Sequence, residues 1–126
     1  LEEGFGMMED GLYVMEDRLE DAEFKDLMVR FVKASMEGWK YAEANPEEAA
    51  QIVLDNDASG AQTLDHQIYM MGEIAKLTAG SDGALDPADY EQTVATLLSA
   101  VSPDNPAITV EPTGAWTHDI TDLALK

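Results

Sequence analysis

Apolar residues recur along most of this chain at the three- and four-residue spacing of amphipathic helices, and turn residues cut the pattern into segments. The longest segment predicts a helix from about Ala22 to Ala44, with Phe24, Leu27, Met28, Phe31, Ser35, Trp39 and Ala42 forming one stripe. Val29, Val32 and Met36 widen the apolar arc, so this helix needs partners on more than one side. Lys25, Asp26, Arg30, Lys33, Glu37 and Lys40 lie mostly off the stripe. Asp26–Arg30 and Lys33–Glu37 are spaced to pair along the surface, at about 0.2–0.5 kcal/mol each. Asn45-Pro46-Glu47-Glu48 is a helix-start signature: Asn45 can cap, Pro46 has its φ preset, and Glu48 stands where a capping-box carboxylate belongs. This second helix carries Ala49, Ile52, Val53 and Leu54 and stops at Asp55-Asn56-Asp57-Ala58-Ser59-Gly60.

A third helix is predicted over about Leu64 to Leu77, with Leu64, Ile68, Met71, Ile74, Ala75 and Leu77 on its apolar side. Gly80-Ser81-Asp82-Gly83 ends that segment. Asp86-Pro87 then repeats the cap-plus-proline signal before a fourth helix with Tyr90, Val94, Leu97, Leu98 and Val101 inward. Residues 102–114 read as a loop with an extended piece at Ala107-Ile108-Thr109-Val110, and Trp116 leads into a last short helix carrying Ile120, Leu123 and Ala124. At the other end, residues 1–11 read as a glycine-rich lead-in. Leu12-Tyr13-Val14-Met15 is a short apolar run whose length and β-forming residues suit a buried strand or crossover segment. The expected fold class is mostly α, with about five helices plus one or two short strands in a single domain.

Composition narrows the function. Among 126 residues, 26 are acidic and 7 basic, a formal net charge of −19 with a pI near 4.1. Such a chain has no basic surface with which to displace counterions from phosphates, and an anionic membrane repels it. No apolar run approaches the ~20 residues that span a bilayer. The absence of Cys removes thiol catalysis, disulfides and cysteine-based zinc sites.

The catalytic signals are thin. Asp55 to Gly60 resembles the start of a calcium loop, but the twelfth position, where a bidentate Glu belongs, holds His66. A helix end followed by a polar turn explains the same residues. His66 and His118 have no paired-ligand spacing, and no serine has a nucleophile-elbow context. Trp39 on the helix stripe reads as core packing, and Trp116 as an anchor for the terminal helix. Glu9-Asp10-Gly11 before the apolar run places carboxylates where they could reach a ligand in a cleft, although composition alone favours a polar turn before a strand.

Three stretches in order carry a resemblance: Met8-Glu9-Asp10-Gly11-Leu12-Tyr13-Val14; the Ala22–Ala44 helix with Phe31-Val32-Lys33-Ala34-Ser35-Met36 and Gly38-Trp39; and Asn45-Pro46-Glu47-Glu48-Ala49-Ala50. Together they resemble the C-terminal half of the solute-binding proteins of ABC importers for nitrate, sulfonates, taurine and thiamine-pyrimidine precursors. The resemblance implies a type II periplasmic-binding fold, in which two α/β lobes close on a small polar solute and a membrane permease reads the closed form. It implies a periplasmic or extracellular location and no catalysis or cofactor. Residues 1–16 correspond to a lobe crossover and residues 17–126 to the helical part of the first lobe. Glu9, Asp10 and Tyr13 become the ligand-proximal candidates.

Members of that family are more than twice as long, so the chain is expected to be a C-terminal fragment, lacking the leader and the sheet its helices would cover. Apolar faces left without that sheet predict self-association as a dimer or higher oligomer. Two alternatives stand beside this one. A eukaryotic branch of the family makes the thiamine pyrimidine, with reactive Lys and His residues expected in the absent half. A stand-alone acidic helical domain could instead bind a partner protein through its Met-rich face.

Overall fold

A computed structural model describes residues 7, 8, 10–99 and 108–126. A 3-10 helix, Glu16–Glu20, precedes five α-helices: α1 Ala22–Ala44, α2 Pro46–Asp55, α3 Leu64–Thr78, α4 Pro87–Ser99 and α5 Thr121–Ala124. The mostly helical class is therefore observed, and each predicted helix is present.

The helix ends follow from local chemistry. At the start of α1, the Asp21 carboxylate accepts from the Glu23 and Phe24 backbone N–H groups at 2.9 and 3.3 Å. Thr63 caps α3 by accepting from the His66 N–H at 3.3 Å, and Asp86 caps α4 through the Ala88 N–H at 2.8 Å. The α1–α2 junction differs from expectation. Asn45 makes no side-chain cap on α2; its Nδ2 instead donates to the Tyr41 carbonyl at 2.9 Å, as does its backbone N–H. The two helices meet at this residue, and its amide satisfies the orphan carbonyl ending α1. Glu48 closes no capping box either, because its carboxylate accepts from the Tyr41 hydroxyl at 2.8 Å. That bond and the neighbouring negative charge hold the Tyr41 phenol above its usual pKa.

The strand expectation is corrected. Among the described residues no β-strand forms, and Leu12, Tyr13, Val14 and Met15 are exposed and irregular. A strand needs a neighbour for its backbone N–H and C=O groups, and among the described residues none pairs with this segment. The extended piece at 107–110 begins outside the described residues, and Thr109 and Val110 form a bend.

α2 packs on α3 and α1, while α1 also meets the 3-10 helix, α3 and α5. The buried apolar residues are small: Val32, Ala49, Ala50, Val94 and Ala124, with Ala50 wholly enclosed. No large side chain in the described residues is completely buried. The stripe read on α1 is also corrected. Val32 is buried with Met28, Val29 and Met36 partly covered, whereas Leu27, Phe31 and Trp39 are about half exposed. The covered side of α1 thus joins Val29, Val32 and Met36, first taken as a widening of the arc, to Phe24, Met28, Ser35 and Ala42 of the stripe, which are also partly covered.

The Asp26–Arg30 pair forms at 3.0 Å and the Lys33–Glu37 pair does not. The loop before α4 approaches α1 closely at Gly83, whose φ is +90°. The backbone conformation favours glycine, and a Cβ there would lie 2.5 Å from Met36 Sδ, so the Met36 side chain would have to shift.

Candidate functional site

The lead-in residues are positioned by α4. The Met8 backbone N–H donates to Thr93 Oγ1 at 2.9 Å, while that hydroxyl donates to the Asp89 carbonyl one turn back, at 2.8 Å. From this tie the chain runs through Asp10, which is exposed, to Tyr13, which is 86% exposed. The Tyr13 ring lies over Gly11, where an added Cβ would stand 3.3 Å from the phenol oxygen. Glu9 lies outside the described residues. Asp10 and Tyr13 share one accessible segment, and neither lines either of the two best-formed clefts.

The first of those clefts lies along α4 and holds about 150 Å³, between Tyr90, Glu91, Val94, Ala95, Leu98 and Glu111. That is below the ~300 Å³ at which pockets enclose organic ligands. The second, at Asn45, Pro46, Glu47 and Glu48, holds about 400 Å³ but is an open depression at the start of α2.

Sequence reasoning gave Trp116 an anchoring role but missed its partners. The Trp116 ring meets Tyr90 edge-on at 6.2 Å and His118 at 4.8 Å. His118 Nε2 lies 2.8 Å from the Leu85 carbonyl. A carbonyl can only accept, so Nε2 carries the proton and donates. The available signal was the spacing of Trp116 and His118, two apart in an extended segment and so on one side of it. This cluster fastens the C-terminal segment to the start of α4. From there Asp119 reaches Lys25 of α1 at 3.4 Å. The Thr117 hydroxyl, then Lys25, hold the Asp119 carboxyl below the usual carboxylate range.

The calcium-like segment is a structured turn. The Asp57 carboxylate accepts from the Ser59 hydroxyl at 2.6 Å, from the Ser59 N–H at 2.8 Å and from the Gln62 N–H at 3.1 Å. These bonds lower its pKa, and Asp55 accepts from Gln51. Among the described residues no three His, Asp or Glu side chains gather as a metal would require, and no helix is long and apolar enough to cross a membrane. No family model, curated protein or solved structure matches the chain.

Proposed function

We propose that this chain is the helical, C-terminal part of the substrate-binding component of an ABC importer. Such a component captures a small polar solute, such as a thiamine-pyrimidine precursor, a sulfonate or nitrate, between two lobes and delivers it to a membrane permease from the periplasm or cell exterior. The observation that carries this reading is the uncovered apolar side of the helical layer. α1 is apolar on two sides and its own neighbours cover one; Ile52 on α2 and Leu77 on α3 are also exposed, Leu77 by 75%. Helices patterned to be covered twice suit the cladding of an α/β lobe, where a sheet supplies the second contact. The lead-in supports the same reading: Tyr13 and Val14 are strand-forming residues with no strand beside them among the described residues. The order of the segments that carry the resemblance is the remaining support. Glu9, Asp10 and Tyr13 are assigned to the ligand side of the lobe crossover.

The test uses the protein encoded by the whole gene. Native mass spectrometry is expected to show a co-purified small molecule, and calorimetry to show binding of one of taurine, nitrate or the thiamine pyrimidine. Glu9→Ala should weaken that binding without lowering the melting temperature. A gene with no α/β lobe beyond this chain, or a whole protein indifferent to all of these solutes, overturns the reading; unchanged affinity in Glu9→Ala removes that residue from the site.

A further inference from the structure

Leu27, Phe31, Ala34, Gly38 and Tyr41 are spaced by four, three, four and three residues, which puts them on one side of α1. All five are exposed, with Leu27 at 50%, Phe31 at 49% and Tyr41 at 48%. The middle of the row is small, and a Cβ added at Gly38 would meet no atom within 4 Å. The row therefore reads large, large, small, small, large around a shallow centre. Turned end for end about Ala34 it complements itself: Leu27 falls opposite Tyr41, Ala34 opposite Ala34, and Phe31 within one residue (about 1.5 Å) of Gly38. A bulky ring then enters the space over a glycine twice, once on each side of the two-fold axis.

Charge selects the same face. α1 holds four basic residues (Lys25, Arg30, Lys33, Lys40) and four acidic ones (Glu23, Asp26, Glu37, Glu43), so it is neutral within a chain of net charge −19. Two copies repel each other over nearly every other surface and least along this helix. The charges are also unevenly placed along it. Lys25 is held by Asp119 of the same chain, and the charges that flank the row include Arg30, four residues before Ala34, and Glu37, three after it. An antiparallel arrangement centred on Ala34 brings Arg30 of each helix to within a residue of Glu37 of the other and opposes the helix dipoles. A parallel arrangement does neither.

We infer that the 126-residue chain forms a two-fold dimer in which α1 packs antiparallel on α1 of a second copy, centred on Ala34. This does not rest on the importer reading. In a larger protein a sheet could occupy the same face, and the dimer would then belong only to the chain on its own. From Leu27 to Tyr41 the row is roughly 21 Å long at ~1.5 Å per residue, a small contact at the weak end of specific interfaces. Association should therefore depend on concentration. With axes about 9–10 Å apart and a Cα radius of ~2.3 Å, the two facing Ala34 Cα atoms lie about 4.4–5.4 Å apart, within the ~4.4–6.8 Å that a disulfide spans.

The absence of native cysteine makes the register directly testable. In analytical ultracentrifugation the chain is expected to pass from monomer to dimer with rising concentration. Gly38→Leu, which fills the space over the axis and favours the helix, should raise the dissociation constant at least tenfold with helical circular dichroism retained. Under mild oxidation Ala34→Cys should give a covalent dimer. Leu27→Cys alone should not, but mixed with Tyr41→Cys it should. A chain that stays monomeric at millimolar concentration overturns the inference. So does self-association that Gly38→Leu leaves unchanged, or a Leu27→Cys chain that cross-links to itself as readily as Ala34→Cys.

Discussion

The layer of α1, α2 and α3 and the region around α4 are held together in different ways. In the first, helix lies on helix, and the enclosed side chains are alanines and Val32, small enough for the backbones to come close. α4 packs on no other helix among the described elements. Val94 and Thr96 of α4 are buried, and its specific attachments include Thr93 to the Met8 N–H, Tyr90 to Trp116, and, just before it, Leu85 to His118. Close helix packing spreads its energy over many contacts that are lost together. A few discrete ties can open one at a time, so α4 should loosen at lower free energy than the layer.

The largest expected effect is in the layer. Ala50 is wholly enclosed, so Ala50→Leu forces three more carbons into a contact with no room for them. A loss of about 3 kcal/mol is expected, at the upper end of overpacking costs. It should appear as a lower urea midpoint reported alike by far-ultraviolet circular dichroism and by tryptophan fluorescence. A loss confined to α2 would show that the layer does not unfold as one unit.

Trp116→Ala should do less and do it locally. It removes two ring contacts, each worth about 0.5–1.5 kcal/mol. Hydrogen exchange should quicken in the amides of α4 while those of α1 and α2 keep their protection. Uniform quickening across all of these helices would erase the distinction between the two regions.

What the sequence made legible follows the same division between local and distant causes. α1 was expected over Ala22 to Ala44 and is found there, α2 and α4 begin at the prolines of their start signals, α3 begins at Leu64 as expected, and α5 begins at Thr121, one residue after the Ile120 that had been placed in it. Proline, glycine and capping carboxylates act within one turn, so a single chain displays them. The covered face of α1 was placed only in part, with Leu27, Phe31 and Trp39 assigned to it wrongly, because it is decided by α2, α3 and α5, which lie far along the chain. Both arcs of that helix are apolar, and periodicity cannot say which one a neighbour will take. Asn45 and Glu48 were misread for a related reason: each could serve α2, and the end of α1 took them first. At the candidate site, the apolar run at Leu12 to Met15 was legible as strand-forming. Whether it becomes a strand depends on a neighbouring strand, which those four residues cannot announce. The Trp116–His118 cluster needed the return of the C-terminal segment to α4, an event equally invisible locally.

The smallest expected effect compares one carboxylate from each region. Asp57 bonds within the α2–α3 turn, and Asp119 bonds to Thr117 and Lys25 where the C-terminal segment meets α1. Both have folded pKa values below the ordinary carboxylate value, so each contributes stability above about pH 4 that is lost as pH falls through its folded pKa. Over that window the unfolded chain binds more protons, and stability from these groups rises with pH. The whole chain also sheds negative charge on acidification, which relieves self-repulsion and opposes this slope. The readout is therefore a difference between variants: Asp57→Asn and Asp119→Asn should each flatten the dependence of the urea midpoint between about pH 5 and pH 2.5 relative to the parent. In hydrogen exchange the acid-dependent change removed by Asp57→Asn should lie in α2 and α3, and that removed by Asp119→Asn in α5 and the segment before it. If both substitutions moved the same amides, the two carboxylates would be reporting on one cooperative unit, and the contrast between the helical layer and the tethered region would fail.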